Sequence, residues 1–483
     1  MKKKLIMAIS KTLAVGCTLL SGLAMASDQW AMNQANPAHT GYMPVTIDPN
    51  KITLRWKKQV SAAALSPVTV AAGSVFVSDP GYFNAQHLYA IKKNGQLAWG
   101  KTFSNIFSVN PPSYADGKVY VQTGNHGSDT YLRAYRVISG DLVFQAPHEA
   151  QWERYLAPTI YKGSVYINGG YYGGMYSFDG AKGKQNWFYS GLPQTDNWTP
   201  AVDEKWAYTY LGKLYAINRI TGKPAFTISN LGQQPQVPML GGLNDVFVVD
   251  GGMLSKFETD TRKIAWQKTY GFNEDYTGQP ALANAVIYVG TTQGSLVALD
   301  QSTGKTLWAW KNTVKDSVIN NVVATKSHVF FTTANKVYAV DLKTRQNVWS
   351  YPASGHLALG ESALYIASAN GKLTAFRLGL PDIMASSVRY FGLTAVNTTR
   401  TKNITIKNVG DSNLTISDIT SPSPDFIVKS PTAFVLAPNQ SKLIDIDFTP
   451  SATGSIATDL TVKSDDGNES EVVVHLQGTG IPS

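Results

Sequence analysis

The sequence predicts an all-β chain: an eight-bladed β-propeller closed by an N-terminal strand, followed by an immunoglobulin-like β-sandwich. Three observations predict it. A hairpin phrase ending in an aromatic residue recurs about every 42 residues. The last copy stops short of its aromatic strand, and a matching strand stands before the first copy. After residue 380 the phrase vanishes and short alternating strands take over.

The phrase is clearest in SLVALDQSTGKTLWAWK (295 to 311), where two apolar runs flank a polar turn. Related copies close on Trp99, Phe144, Trp187, Phe226, Trp266, Trp308 and Trp349. Each unit has two earlier strand signals, such as QPALA (279 to 283) and AVIYVG (285 to 290). Four short strands per repeat make one propeller blade. HLALGESALYIASANGKLTAFRLG (356 to 379) has only three, and ITLRWKKQV (52 to 60) supplies the fourth, with Trp56 standing 43 residues before Trp99. Sharing a blade between the two chain ends closes the ring and removes exposed sheet edges. The eight closing aromatics are therefore expected to be structural docking residues, each covering the next blade. The Gly of STGK-type turns supplies a positive φ.

The pattern L-Y-A-[LIVF]-[DN]-x-x-T-G-K-x-x-W resembles the tryptophan-docking repeat of pyrroloquinoline-quinone-type propellers, over residues 52–380. NPAHTGY (36 to 42), following Trp30, resembles the lead-in of such proteins. The resemblance implies either a quinone-dependent dehydrogenase or a quinone-free protein, such as the propeller lipoprotein of the outer-membrane β-barrel assembly machine. Large quinoprotein alcohol dehydrogenases stack adjacent cysteines on the quinone, whereas this chain has one cysteine, Cys17. It has no CxxCH for haem, and no calcium-ligand set matches. The expectation is no cofactor and no metal, with pyrroloquinoline quinone and calcium as the minority alternative.

Residues 1–26 have the layout of a signal peptide: Lys2, Lys3, Lys4 and Lys11, an apolar stretch, then Ala24-Met25-Ala26 as the cleavage site. Export to the periplasm, or secretion to the cell surface, is expected. Lipoprotein processing at Cys17 is the competing reading. No later apolar run is long enough for a transmembrane segment. Residues 27–51 are a lead-in, 52–380 the propeller, 381–387 a linker and 388–483 the sandwich. The last part resembles the choice-of-anchor D and ASPM/SPD-2/Hydin type of module, through Asn408-Val409-Gly410, Leu436-Ala437-Pro438, Phe448-Thr449-Pro450 and Gly478-Thr479-Gly480. Such modules imply adhesion or spacing.

The formal charge is +9 overall, and residues 381–483 hold 7 Lys/Arg against 11 Asp/Glu. A basic body with an acidic tail leans toward anionic partners. Within a blade, short turns share one face, and the longer second-to-third-strand and blade-to-blade loops share the other. Tyr82, Phe83, His126, Arg154, Tyr155, Tyr171, Tyr172, Phe272 and Tyr276 stand on those long loops as candidate binding residues. No catalytic residue is assigned, because no HExxH, GxSxG, P-loop or dinucleotide motif occurs in context. The reading is an exported, non-enzymatic monomer that binds a protein or an anionic glycan of the envelope, with no nucleic-acid partner. The alternatives are a quinone-dependent sugar or alcohol dehydrogenase and a polysaccharide lyase or hydrolase.

Overall fold

The computed structural model describes residues 29–79, 85–104, 106–125, 130–151, 154–229, 232, 234–242, 244–467 and 469–483. The expected signal peptide with Cys17, and the candidates Tyr82, Phe83 and His126, lie outside the described residues.

The described chain is built almost entirely of strands, and its N-terminal part is a β-propeller. A first unit runs Thr69–Ala71, Ser74–Asp79, Gln86–Lys92 and Leu97–Phe103 as an antiparallel meander. The same four-step meander restarts at Ser113, Thr159, Ala201, Met239, Tyr276, Val318 and His356. The units starting at Tyr276 and Val318 are further joined by one parallel bridge, Gln279 to Asn321. The unit starting at His356 takes its fourth strand from Thr53–Gln59, paired antiparallel with Lys372–Arg377 so that Trp56 faces Ala375. The first strand at Thr69–Ala71 touches His356–Gly360 on one side and Ser113–Ala115 on the other, which closes the ring at its axis.

Units dock through the closing aromatics. The indole of Trp56 lies over Gly95 and donates its N–H to the Lys93 carbonyl at 2.9 Å. Trp99 does the same on Gly140 and Val137, Trp187 on Gly222 and Arg219, and Trp266 on Gly304 and Ser302. Phe144 lies on Gly183 without a donor. Two turns carry Arg where the others carry Gly: Arg262 and Arg345 hold φ of 56° and 60°, and their guanidinium groups cover Phe226 and Trp308 at 5.1 and 6.0 Å. Trp349, facing the shared unit, packs edge-on against Phe376 at 5.1 Å. Six of these dockings thus pair an apolar plate with a donor bond or a cation, while Phe144 and Trp349 dock by ring packing alone.

The lead-in lies across the axis at the short-turn end. Trp30 exchanges backbone bonds with Val70. The carbonyls of Ala31, Pro37, Ala38, Thr40 and Gly41 accept from Tyr114, Val202, Leu240, Leu282 and Ala324, each on the first strand of a different unit. His39, buried, donates from Nδ1 to the Pro238 carbonyl at 3.0 Å and has Thr159 Oγ1 3.3 Å from Nε2. Gly41 is required: with φ of 60°, a Cβ there would stand 2.9 Å from the Val322 carbonyl oxygen.

The sandwich has one sheet of Ile383–Ala385, Arg400–Asn408, Ser441–Phe448 and Phe426–Val428. The other orders Val388–Ala395, Glu471–Ile481, Gly454–Ser464, Leu414–Thr420 and Phe434–Leu436. Phe391, Phe426 and Phe448 meet between them, the last two stacked at 4.6 Å. The expected linker at 381–387 is corrected: Ile383–Ala385 is a strand of the sandwich, and Ile383 is buried in its core. The sandwich docks on the short-turn face of the propeller. Arg55 pairs with Asp411, Lys93 with Asp382 at 3.1 Å, and Lys326 donates to the Gly467 carbonyl at 2.8 Å.

Candidate functional site

Because the lead-in and the sandwich occupy the short-turn side, the opposite face holds the candidate binding surface. Its long loops are set by the meander itself: among the described residues, the second-to-third-strand and unit-to-unit loops emerge there. Tyr172, in the loop between Ser164–Asn168 and Met175–Asp179, is 84% exposed. Phe272, between Lys263–Lys268 and Tyr276–Ala283, is 96% exposed. An aromatic ring left so bare on a rigid scaffold is a marker of contact surfaces.

Two other candidates are corrected to packing residues. Tyr155 is buried, and its backbone N–H donates to Asn110 Oδ1 at 2.9 Å. Tyr276 is buried at the start of its strand against Tyr270, ring centroids 5.8 Å apart, and burial pushes its hydroxyl up to about 12. Both are long-loop residues by sequence position, but each points inward where its loop meets the first strand. Tyr171 is half-buried and forms a bridge with Gly173. Arg154 is half-buried, with its guanidinium over the Phe107 ring at 5.8 Å and its backbone N–H on Asp196 Oδ1.

Sequence reasoning missed the axial pocket at the centre of this face. Its floor is Trp30, Asn33 and Gln34 of the lead-in; its walls include Gln279, Asn320 and His356. Its volume is about 60 Å³. Burial without a charged partner holds the His356 imidazole down to about 4, so it is neutral at physiological pH. The signal for this pocket is only local: Gly278 and Asn320 hold φ of 76° and 63° in two strands that bulge at the axis.

A pyrroloquinoline quinone with calcium does not fit these residues. A pocket of about 60 Å³ holds a few waters, not a fused tricyclic acid, and among the described residues no charged side chain lines it. Among the described residues no group of three or more His, Cys, Asp or Glu is placed to hold a metal.

Comparison with known proteins places the chain. Residues 42–228 and 239–407 match the family model described as outer membrane protein assembly factor BamB. Residues 384–479 match the HYDIN/CFA65/VesB-like, Ig-like domain. The dehydrogenase subunit of a quinone alcohol dehydrogenase of Gluconobacter oxydans is 31% identical over 114 residues, covering 21% of this chain and 15% of that protein. The outer membrane protein assembly factor BamB of Francisella salina is 38% identical over 77 residues, 16% of this chain and 14% of that protein. These matches thus span under a sixth of either relative. Among solved structures, the quinohemoprotein alcohol dehydrogenase of Comamonas testosteroni superposes with a TM-score of 0.58 at 14% identity, over 74% of this chain and 81% of that one, a likeness of fold. With most of its propeller matched in this way, the chain belongs to the family of the outer membrane protein assembly factor BamB, a pyrroloquinoline-quinone-like β-propeller, and continues into a HYDIN/VesB-type immunoglobulin-like domain.

Proposed function

We propose that the chain is an exported, non-enzymatic binding protein that engages a protein partner of the cell envelope through the long-loop face of its propeller. The observation that carries this reading is the pair of bare aromatic rings, Tyr172 and Phe272, on the face opposite the docked sandwich. The small uncharged axial pocket supports binding over quinone chemistry. A relative named for outer membrane protein assembly supports the envelope and a protein as partner.

Site-specific photocrosslinking in cells tests it. A photoreactive phenylalanine analogue at 172 or 272 is expected to trap an envelope protein, and the same analogue at 138, an exposed position on a short turn of the opposite face, is not. Equal adducts from all three positions, or none from 172 and 272, would refute the face. Dye reduction by the purified chain with pyrroloquinoline quinone, calcium and an alcohol would instead support the dehydrogenase reading that the Gluconobacter relative favours.

A further inference from the structure

Besides Asn33 on its floor, the axial pocket contains three polar side chains on its walls that the fold itself does not use. Gln279, Asn320 and His356 stand on the first strands of three successive units, remain partly accessible, and have no hydrogen-bond partner for their side chains among the described residues. Two of their neighbours, Asn321 and Gln34, are engaged, while Asn33 on the floor has a buried Nδ2 with no partner among the described residues. Asn321 Nδ2 donates to Gln34 Oε1 and to the Leu357 carbonyl, both at 2.9 Å, and its Oδ1 accepts from Leu357 N–H. Gln34 Nε2 donates to the Pro280 carbonyl at 2.8 Å. The saturated pair locks the lead-in to the strands and leaves the other three groups presented on a rigid frame.

Backbone geometry reinforces this presentation. Gly278 and Asn320 both sit in the left-handed region, and a Cβ on Gly278 would stand 2.9 Å from the Asn320 carbonyl oxygen. Such conformations persist where surrounding structure over-determines them, often at binding sites.

We infer that the axial pocket receives one uncharged carboxamide side chain, an Asn or Gln, of the protein partner. The protein as its source rests on the reading proposed above; the chemistry of the group rests on the pocket alone. An ammonium or carboxylate placed there would be desolvated without a counter-charge, which is costly. The two carboxamides and a neutral imidazole each offer both a donor and an acceptor, the complement of another carboxamide. The volume of about 60 Å³ admits a group of a few heavy atoms and no more.

The test uses the purified chain with histidine labelled for NMR, the His356 resonance being identified by its loss in His356→Phe. Acetamide is titrated at pH 7 beside acetate, methylammonium and ethylene glycol. A saturable shift of the His356 signal is expected with acetamide, with half-saturation at least about tenfold higher for the charged probes. The diol, which offers hydroxyls only, is expected to be weaker than acetamide. Gln279→Leu is expected to weaken the acetamide response while leaving the thermal midpoint in place. No saturable shift, or an equal response to acetate, methylammonium or ethylene glycol, would overturn the pocket's assignment. A clear acetamide response combined with no crosslink from 172 or 272 would keep the pocket's selectivity and overturn the protein source.

Discussion

Trp99 lies flat on Gly140: a Cβ added to that glycine would stand 2.7 Å from the indole, whose N–H reaches the Val137 carbonyl at 3.0 Å. Gly117, in another turn, holds the same φ of 72° but has open space where its Cβ would go. The two glycines separate backbone strain from docking. Gly117→Ala is expected to cost about 1 kcal/mol or slightly more, from the left-handed backbone alone. Gly140→Ala adds an overpacking cost of about 1–3 kcal/mol as the ring is displaced. Thermal denaturation of both variants checks this, and equal midpoints would show that the ring contact carries nothing.

Closure through Thr53–Gln59 makes a second prediction. Deleting residues 52–60 leaves the unit at His356 with three strands and strips the cover from Gly95. A lower midpoint and a less cooperative transition are expected by calorimetry. A melt indistinguishable from that of the full chain would refute closure by this strand.

His39 makes stability depend on acid. Burial at the axis lowers its pKa to about 4, against 6.5 in the unfolded chain. Between those values the unfolded state binds the proton and the native state does not, so stability is fully present above about 6.5 and lost as the pH falls toward 4. The full effect is about 3 kcal/mol. His39→Asn, whose side chain tolerates the φ of 57° there, is expected to flatten that slope in urea titrations across the window. An unchanged slope would mean that another group sets it.

Glu361 acts in the opposite sense at the junction with the sandwich. It sits in a turn on the short-turn face and accepts from Gly73 N–H at 2.6 Å. Burial raises its pKa from 4.5 to about 7, with Asp382 raising it further and Lys93 and Arg55 opposing. The native carboxyl keeps a proton that the unfolded chain has released, so stability declines as pH rises from about 4.5 to about 7 and is level above. Glu361→Gln is expected to remove this decline and to melt higher than the parent at pH 8. A lower midpoint for the variant at pH 8 would show that ionised Glu361 stabilises the seam.

Much of the fold is legible because its signals are local and repeated. Trp308 follows a turn whose glycine needs a positive φ, and the same grammar recurs at Trp99, Phe144 and Trp187. The candidate face is legible only in part. Tyr172 and Tyr155 both read as loop aromatics, yet one is bare and the other buried, since loop position does not say which way a ring turns. Ile383 reads as linker because three residues are too few for a strand pattern to show against Pro381 and Asp382.

The sequence by itself determined the repeat, the shared unit at the chain ends and the change of domain near residue 380, because periodic burial needs periodic residues. Only the tertiary structure decided that Trp30 to Met43 would lie across the axis, that the sandwich would cover the short-turn face, and that Gln279, Asn320 and His356 would meet in one pocket. Those three residues are 41 and 36 positions apart along the chain, and the packing of neighbouring first strands around the axis brings them together.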